Sequence, residues 1–456
     1  MTVRLIDSLA TTEPLAELFS DDSVLTAMLE FEVALARAEA RLGIVPQTAA
    51  DAIRTSAKSK IFDSTALAQA ALRAGTPAIP LVKALTEQVR RSNAEAARFV
   101  HWGATSQDVA DTAMSLLLKR AQSLLNDDLA RLEKALGHLV EQHKDCAMLG
   151  RTLLQAAPPV TFGLKAAGWL GAVRRGKHRL RTGFNTAAIM QFGGASGTLA
   201  SLGDQGIPLT RALTEELGLP ASLEAPWHTQ RDRLAALICS CGVLTGSLGK
   251  MARDISLLMQ NEVGEAAEPA GAGRGGSSTM PHKSNPTACS LTLGAAHRVP
   301  GLVASYLSAM VQEHERGVGG WHAEWPIVAA VVQSTGLAIS SMAEVAEGLS
   351  VDTEHMKANI GRTNGVIFAE RAMMLLGSKL GRDVAHKVLE TAARKCILEG
   401  RHLADVLAEI PEVMSHFDPG ALRQLEVPEH YLGSAEEFRE ALLSNSGRNA
   451  DSKKEQ

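Results

Sequence analysis

Between about residues 109 and 143 the chain carries an apolar stripe at helical spacing, formed by Leu116, Leu117, Leu124, Leu129, Leu132, Leu136 and Leu139. A helix of that length spans roughly 50 Å at 1.5 Å per residue, far more than one globular layer needs. Its stripe is buried only if several long helices lie alongside it, so a bundle is expected. Composition points the same way. The chain is 45% hydrophobic but only 4% aromatic, and the apolar content is Ala and Leu, which favours helix over sheet. The expected fold class is all-α.

At 456 residues two or three structural units are expected. Asp21-Asp22-Ser23 signals a helix start, and the amphipathic run that follows reaches Gly43. Further helical segments (48 to 58, 63 to 73, 80 to 98) are broken by Gly75-Thr76-Pro77 and by Pro80. The division expected is an N-terminal helical domain (1–108), a central domain of long helices (109–349) and a C-terminal helical domain (350–456) whose polar tail after Ser444 reads as disordered.

A formal charge of −4, with no block of one sign, argues against nucleic acid or an anionic membrane as partner and leaves a small molecule. The start lacks the apolar core of a signal peptide, and no run approaches the roughly 18 apolar residues of a membrane span, so a cytoplasmic location is expected. The five cysteines are scattered and read as reduced core residues. Cys239 and Cys241 lack a matching Cys or His pair at zinc spacing, so no metal site is expected.

The chemistry concentrates in Gly275-Gly276-Ser277-Ser278-Thr279-Met280-Pro281-His282-Lys283-Ser284-Asn285-Pro286. Glycines free the backbone for close approach to a ligand, and hydroxyls, an imidazole, an ammonium and an amide crowd into a few residues, which reads as a site rather than a spacer. A second polar patch, His101-Trp102-Gly103-Ala104-Thr105-Ser106-Gln107-Asp108, precedes the long helix. Ser106 or Asp108 can cap that helix, yet a hydroxyl-rich helix start also suits an anion. Gly150-Arg151-Thr152-Leu153-Leu154-Gln155 leads to Pro158-Pro159, which are placed to open the next helix. Gln191 to Thr198 reads equally as a turn or a substrate-facing loop and is left out of the site. His228 and Arg231 open another helical run, as ordinary first-turn residues or as ligands for a polyacid. The connection from Glu315 to Pro326 holds Arg316, a further cation, and Trp321 and Trp325, either core or pocket wall.

The 275–286 stretch resembles the signature of the fumarase/aspartase superfamily, Gly-Ser-Ser-x-Met-Pro-x-Lys-x-Asn-Pro, at every fixed position. The 101–106 and 150–155 segments resemble its first and second shared regions, and Gly-Gly-Trp-x-Ala-Glu-Trp at 319–325 is similar to its carboxymuconate cycloisomerase branch. The resemblance implies a three-domain all-α fold with a long central bundle, a homotetramer whose sites are shared between subunits, a small polycarboxylate substrate and no cofactor. It implies Ser277 as the proton donor at carbon, with Ser278 and His282 as further catalytic candidates. Substrate ligands would come from His101, Thr105, Ser106, Gln107, Thr152, Gln155, His228, Arg231, Lys283, Asn285 and Arg316. In the lyase branches a second-region histidine pairs with a glutamate four residues after the Asn-Pro proline. This sequence has Leu153 and Ser290 there, which favours lactonisation over release of an amine; a succinyl-compound lyase is the alternative.

Overall fold

A computed structural model describes residues 5–222, 224–271, 275–276, 279–280 and 283–444. The tail after Ser444 and the loop positions Ser277, Ser278 and His282 lie outside the described residues. The all-α expectation is met. Five long helices dominate: Ser106–Gln142, Phe162–Ala187, Asp232–Leu258, Thr287–Ala309 and Gly320–Gly348. Along the first of them the buried line runs through Ala121, Leu125, Leu129, Leu132 and Leu136, steps of four, four, three and four that keep one face inward. Leu124 is half-buried beside that line.

Contacts gather the chain into two units. The first comprises Met1–Ala130, Arg175–Gly249 and Leu291–Ser341, the second Arg131–Arg174, Lys250–Ser290 and Met342–Gln456. In the first unit the helix Asp21–Arg41, whose start is capped by the Ser20 hydroxyl accepting from Ser23 N–H, packs on Gln47–Ser56 and Gly206–Leu217. Met28, Phe31 and Leu35 lie in the resulting core with Leu81, Leu85 and Val89. The second unit has a core of Leu376, Leu389, Leu403, Leu407 and Leu422, and a smaller one where Ala147 and Leu149 meet Ile360 and Phe368.

Two of the helices, Asp232–Leu258 and Gly320–Gly348, are long and apolar enough to cross a membrane by length and composition, which corrects the expectation that no run comes close. Most of each apolar stretch is buried inside the protein, as core helices of a large bundle are.

The segment with the two prolines also departs from expectation. It forms an antiparallel hairpin, β1 (Ala147–Thr152) with β2 (Gln155–Thr161), and the next helix opens only at Phe162. Leu149 faces Pro159 and Gly150 faces Ala157, so Pro158 falls in a bulge where its missing N–H interrupts no ladder bond. A Cβ on Gly150 would lie 2.3 Å from the Pro158 carbonyl oxygen, so this approach needs glycine. The hairpin is closed by Leu153 (φ 50°) and Leu154 (φ 64°), a left-handed pair that Asn-Gly would fill without strain. Both side chains point into open space, Leu153 97% exposed.

Glu39 is fully buried on the helix Asp21–Arg41, and neither carboxyl oxygen has a hydrogen-bond partner among the described residues. Burial, helped by the nearby charge of Glu32, pushes its pKa up to about 9. Below the ordinary value of about 4.5 both folded and unfolded chains carry the proton; above it only the folded chain does, so stability falls as pH rises toward 9. Glu39→Gln should therefore raise the urea midpoint at pH 7 by the equivalent of roughly 3 kcal/mol and leave it unchanged at pH 4. Equal midpoints for the two proteins at both pH values would place Glu39 in contact with solvent.

Candidate active site

In the first unit Asp108 is the organising group. As the third residue of the helix Ser106–Gln142 it reaches back to accept from Thr105 N–H (3.0 Å), the return arm of a capping box. The same fully buried carboxylate accepts from Gly193 N–H (3.0 Å), Gly194 N–H (2.9 Å) and His228 Nε2–H (2.8 Å). Four bonds occupy all its lone-pair directions. One side chain thus ties the start of the long helix to the 191–198 turn and to the segment before the helix Asp232–Leu258. That turn is part of the site's frame, although sequence reading leaves it out.

One helical turn on, Asp111 anchors a second buried network. Arg231 donates from both terminal nitrogens to Asp111 (2.9 and 3.1 Å) and from Nε and Nη2 to Glu324 (3.0 and 2.6 Å). Burial works to lower the pKa of Arg231, but the two carboxylates outweigh it and hold the guanidinium charged. Trp321 Nε1 (3.0 Å) and Gln107 Nε2 (3.1 Å) also donate to Asp111, and the guanidinium lies 4.7 Å from the centre of the Trp227 ring. Trp321 is therefore core. Its helix starts at Gly320, earlier than the proline-containing connection suggests.

These bonds sort the first unit's candidates. Gln107 is buried and fully engaged, donating to Asp111 and to His228 O and accepting from Arg316 at 3.0 Å. Arg231 and the Nε2 side of His228 are likewise engaged within the protein. Arg316 has one arm on Gln107 and the other on the Ala195 carbonyl. Thr105 and Ser106, by contrast, are half-buried with hydroxyls that bond to no described residue. His101 is half-buried too; its Nδ1 bonds to Glu32 at 2.7 Å and its Nε2 to no described residue.

The second unit holds the other candidates. Thr152 and Gln155 face each other across the hairpin turn, both exposed. The hairpin is anchored by Arg151, which grips the buried Glu265 with both terminal nitrogens (2.9 and 2.7 Å); Asn359 donates to the same carboxylate at 2.7 Å. The base of the signature loop is clamped by Asn285 N–H donating to Gly275 O at 2.8 Å. Gly275 has φ 65°, and a Cβ there would lie 2.7 Å from the Asn285 carbonyl oxygen. Glu268 then caps the helix Thr287–Ala309 by accepting from Ala288 and Cys289 N–H. Lys283 is exposed and Asn285 half-buried, and neither side chain bonds to a described residue. Among the described residues no group of three or more His, Cys, Asp or Glu is placed to hold a metal ion.

Sequence reading missed Glu32, Asp111, Glu265 and Glu324. For Glu32 a signal exists: it interrupts the apolar face marked by Leu25, Met28, Leu29 and Leu35.

Comparison with known proteins agrees with this architecture. The lyase family profile matches residues 9–301, and that of the adenylosuccinate lyase C-terminus matches residues 365–442. The chain is 48% identical over 441 residues to a 3-carboxy-cis,cis-muconate cycloisomerase of Pseudomonas aeruginosa, covering 97% of this chain and 96% of that one. It is 42% identical to a nitrosuccinate lyase of Streptomyces davaonensis, with 94% and 92% covered. Among solved structures, the 3-carboxy-cis,cis-muconate lactonizing enzyme from Pseudomonas putida matches with a TM-score of 0.92 at 44% identity, over 98% of this chain and 99% of that one. With its long helices, its signature loop and relatives of such extent, the chain belongs to the fumarase/aspartase superfamily of lyases.

Proposed function

We propose that the chain is a 3-carboxy-cis,cis-muconate cycloisomerase of aromatic catabolism, working in the cytoplasm as a homotetramer with sites shared between subunits. One substrate carboxylate adds through oxygen to a carbon of the double bond, closing the lactone, and the adjacent carbon takes a proton from Ser277, with Ser278 and His282 beside it. Thr105, Ser106, His101, Lys283 and Asn285 hold carboxylates and balance the enediolate-like charge that develops. Gln107, His228, Arg231 and Arg316 keep that surface in place, while Thr152 and Gln155 are presented from the hairpin. The exposed Leu153 and Leu154 support the tetramer, because an apolar tip in a backbone conformation that leucine disfavours is suited to cover by a partner subunit.

The observation that carries the reaction class is the pair of positions, Leu153 and Ser290, at which the lyase branches have a histidine and a glutamate. Leu153 stands fully exposed at the hairpin tip, and the Ser290 hydroxyl donates to its own helix at Pro286 O, 2.7 Å away. Neither offers an acid for a leaving group. An amine has to be protonated to leave, whereas a carboxylate, with a reference pKa of about 4, leaves a lactone as the anion in the reverse reaction. Nitrite is also a stable anion, so the same observation favours nitrosuccinate elimination as the second reading.

A panel of carboxymuconate, nitrosuccinate, adenylosuccinate, aspartate and malate tests this, with NMR to identify the products. Rapid lactonisation of carboxymuconate is expected, with negligible release of AMP, ammonia or water from the last three, in the wild type and with Leu153→His for comparison. Efficient adenylosuccinate cleavage by the unmutated protein would sink the cycloisomerase reading, and preferential nitrite release would replace it with the second.

A further inference from the structure

We propose that Glu32 is a positioning residue for the reaction, fixing His101 through Nδ1 so that the imidazole presents a proton at Nε2 to a carboxylate of the polyanionic substrate. The proposal rests on the functional reading above and adds to it a residue, Glu32, on a helix remote in sequence from every motif.

Four observations carry it. Glu32 is 2% exposed, its Oε1 lies 2.7 Å from His101 Nδ1, and its Oε2 has no hydrogen-bond partner among the described residues. This carboxylate therefore has His101 as its hydrogen-bond partner, and because a carboxylate only accepts, Nδ1 carries a proton, so a second proton on the ring stands at Nε2. His101 is held at φ 61°, an uncommon conformation for a residue with a Cβ. Gly103, two residues on, is also left-handed, and a Cβ there would come within 2.8 Å of Leu202. The backbone is thus left-handed on both sides of Trp102, in the segment that places the ring beside Glu32. Nε2 remains without a described partner on the segment that also carries the uncommitted hydroxyls of Thr105 and Ser106.

The charged and titratable groups around the ring agree in sign. Burial acts to lower the pKa of His101 and is the largest influence. The charge and hydrogen bond of Glu32 on the helix Asp21–Arg41, with the charge of Asp108 on the helix Ser106–Gln142, together outweigh it and raise the value. Asp108 is itself bonded to His228, and Glu39, two turns beyond Glu32, is neutral up to about pH 9. The balance of these influences favours the protonated ring, which carries its second proton at Nε2.

The experiment has a substrate-free arm and a kinetic arm. NMR titration of the His101 Cε1–H resonance in the full-length protein should show its midpoint fall by about one unit or more in Glu32→Gln and recover in part in Glu32→Asp. In turnover, wild-type KM for carboxymuconate should rise about tenfold as pH passes through the His101 midpoint while kcat stays nearly flat, since one charge-assisted hydrogen bond is lost. In Glu32→Gln the same rise should move to lower pH with the NMR midpoint. A purely structural role would lower activity equally at every pH. An unmoved His101 midpoint, or a KM rise that stays where it was, overturns the proposal. If Glu32→Gln fails to fold, His101→Asn serves: the KM rise should vanish, and its persistence overturns the proposal equally. If carboxymuconate is not turned over, the function reading fails by itself. The proposal is then judged by NMR and by calorimetric binding of propane-1,2,3-tricarboxylate across the same pH range.

Discussion

Replacing Arg231 by methionine is expected to destabilise the protein by about 3–5 kcal/mol, the range seen when one partner of a buried ion network is removed. The guanidinium bonds two carboxylates that are each about 1% exposed, and without it Asp111 and Glu324 would face each other across an apolar gap. Trp321 and Gln107 still donate to Asp111, and Gln312 to Glu324 at 2.7 Å, but neutral donors cannot supply the missing charge. The loss should appear as a lower urea midpoint and less soluble protein, before any assay of turnover. A midpoint within 1 kcal/mol of wild type would mean that water reaches the network. Because Arg231 has no arm left for a ligand, KM in any folded fraction should move less than stability does.

Ser277→Ala should act in the opposite way, lowering turnover by roughly 10²- to 10⁴-fold, the usual contribution of a group that transfers a proton, with the melting temperature unchanged. A loop hydroxyl contributes to chemistry and little to a core. Retention of more than half the activity would move the assignment to Ser278, which should be replaced next.

These two predictions differ in how far the sequence discloses them. The signature stretch stands out in the sequence because its polar groups are neighbours there. The long helices are legible for the same local reason: a 3.6-residue period is written into any stretch of the chain that has an apolar face. Arg231 is different. An arginine at a helix start that awaits an anion reads identically whether the anion is a substrate or Asp111 and Glu324, which stand 120 and 93 residues away. Asp108 reads as a helix cap, and it is one, but its bonds to Gly193, Gly194 and His228 come from tertiary folding. The hairpin stays hidden because Pro158-Pro159 argues against a strand until the bulge opposite Gly150 is known. Glu32 and Glu39 are the intermediate case. Both interrupt an apolar helix face, which marks them as unusual, yet one bonds a histidine and the other finds no hydrogen-bond partner among the described residues.

The leucines at the hairpin tip bear on how such an enzyme would be improved. A left-handed residue with a branched side chain costs on the order of 1 kcal/mol or more, so a search for thermostable variants scored on the isolated chain would rank Leu153→Asn with Leu154→Gly near the top. That choice would discard the one segment of the described chain where an unfavourable backbone and a solvent-facing apolar side chain coincide twice in succession. A gain in folding would then remove the apolar tip that a partner subunit covers in the tetramer proposed above, so durability scored on one chain and assembly would pull in opposite directions.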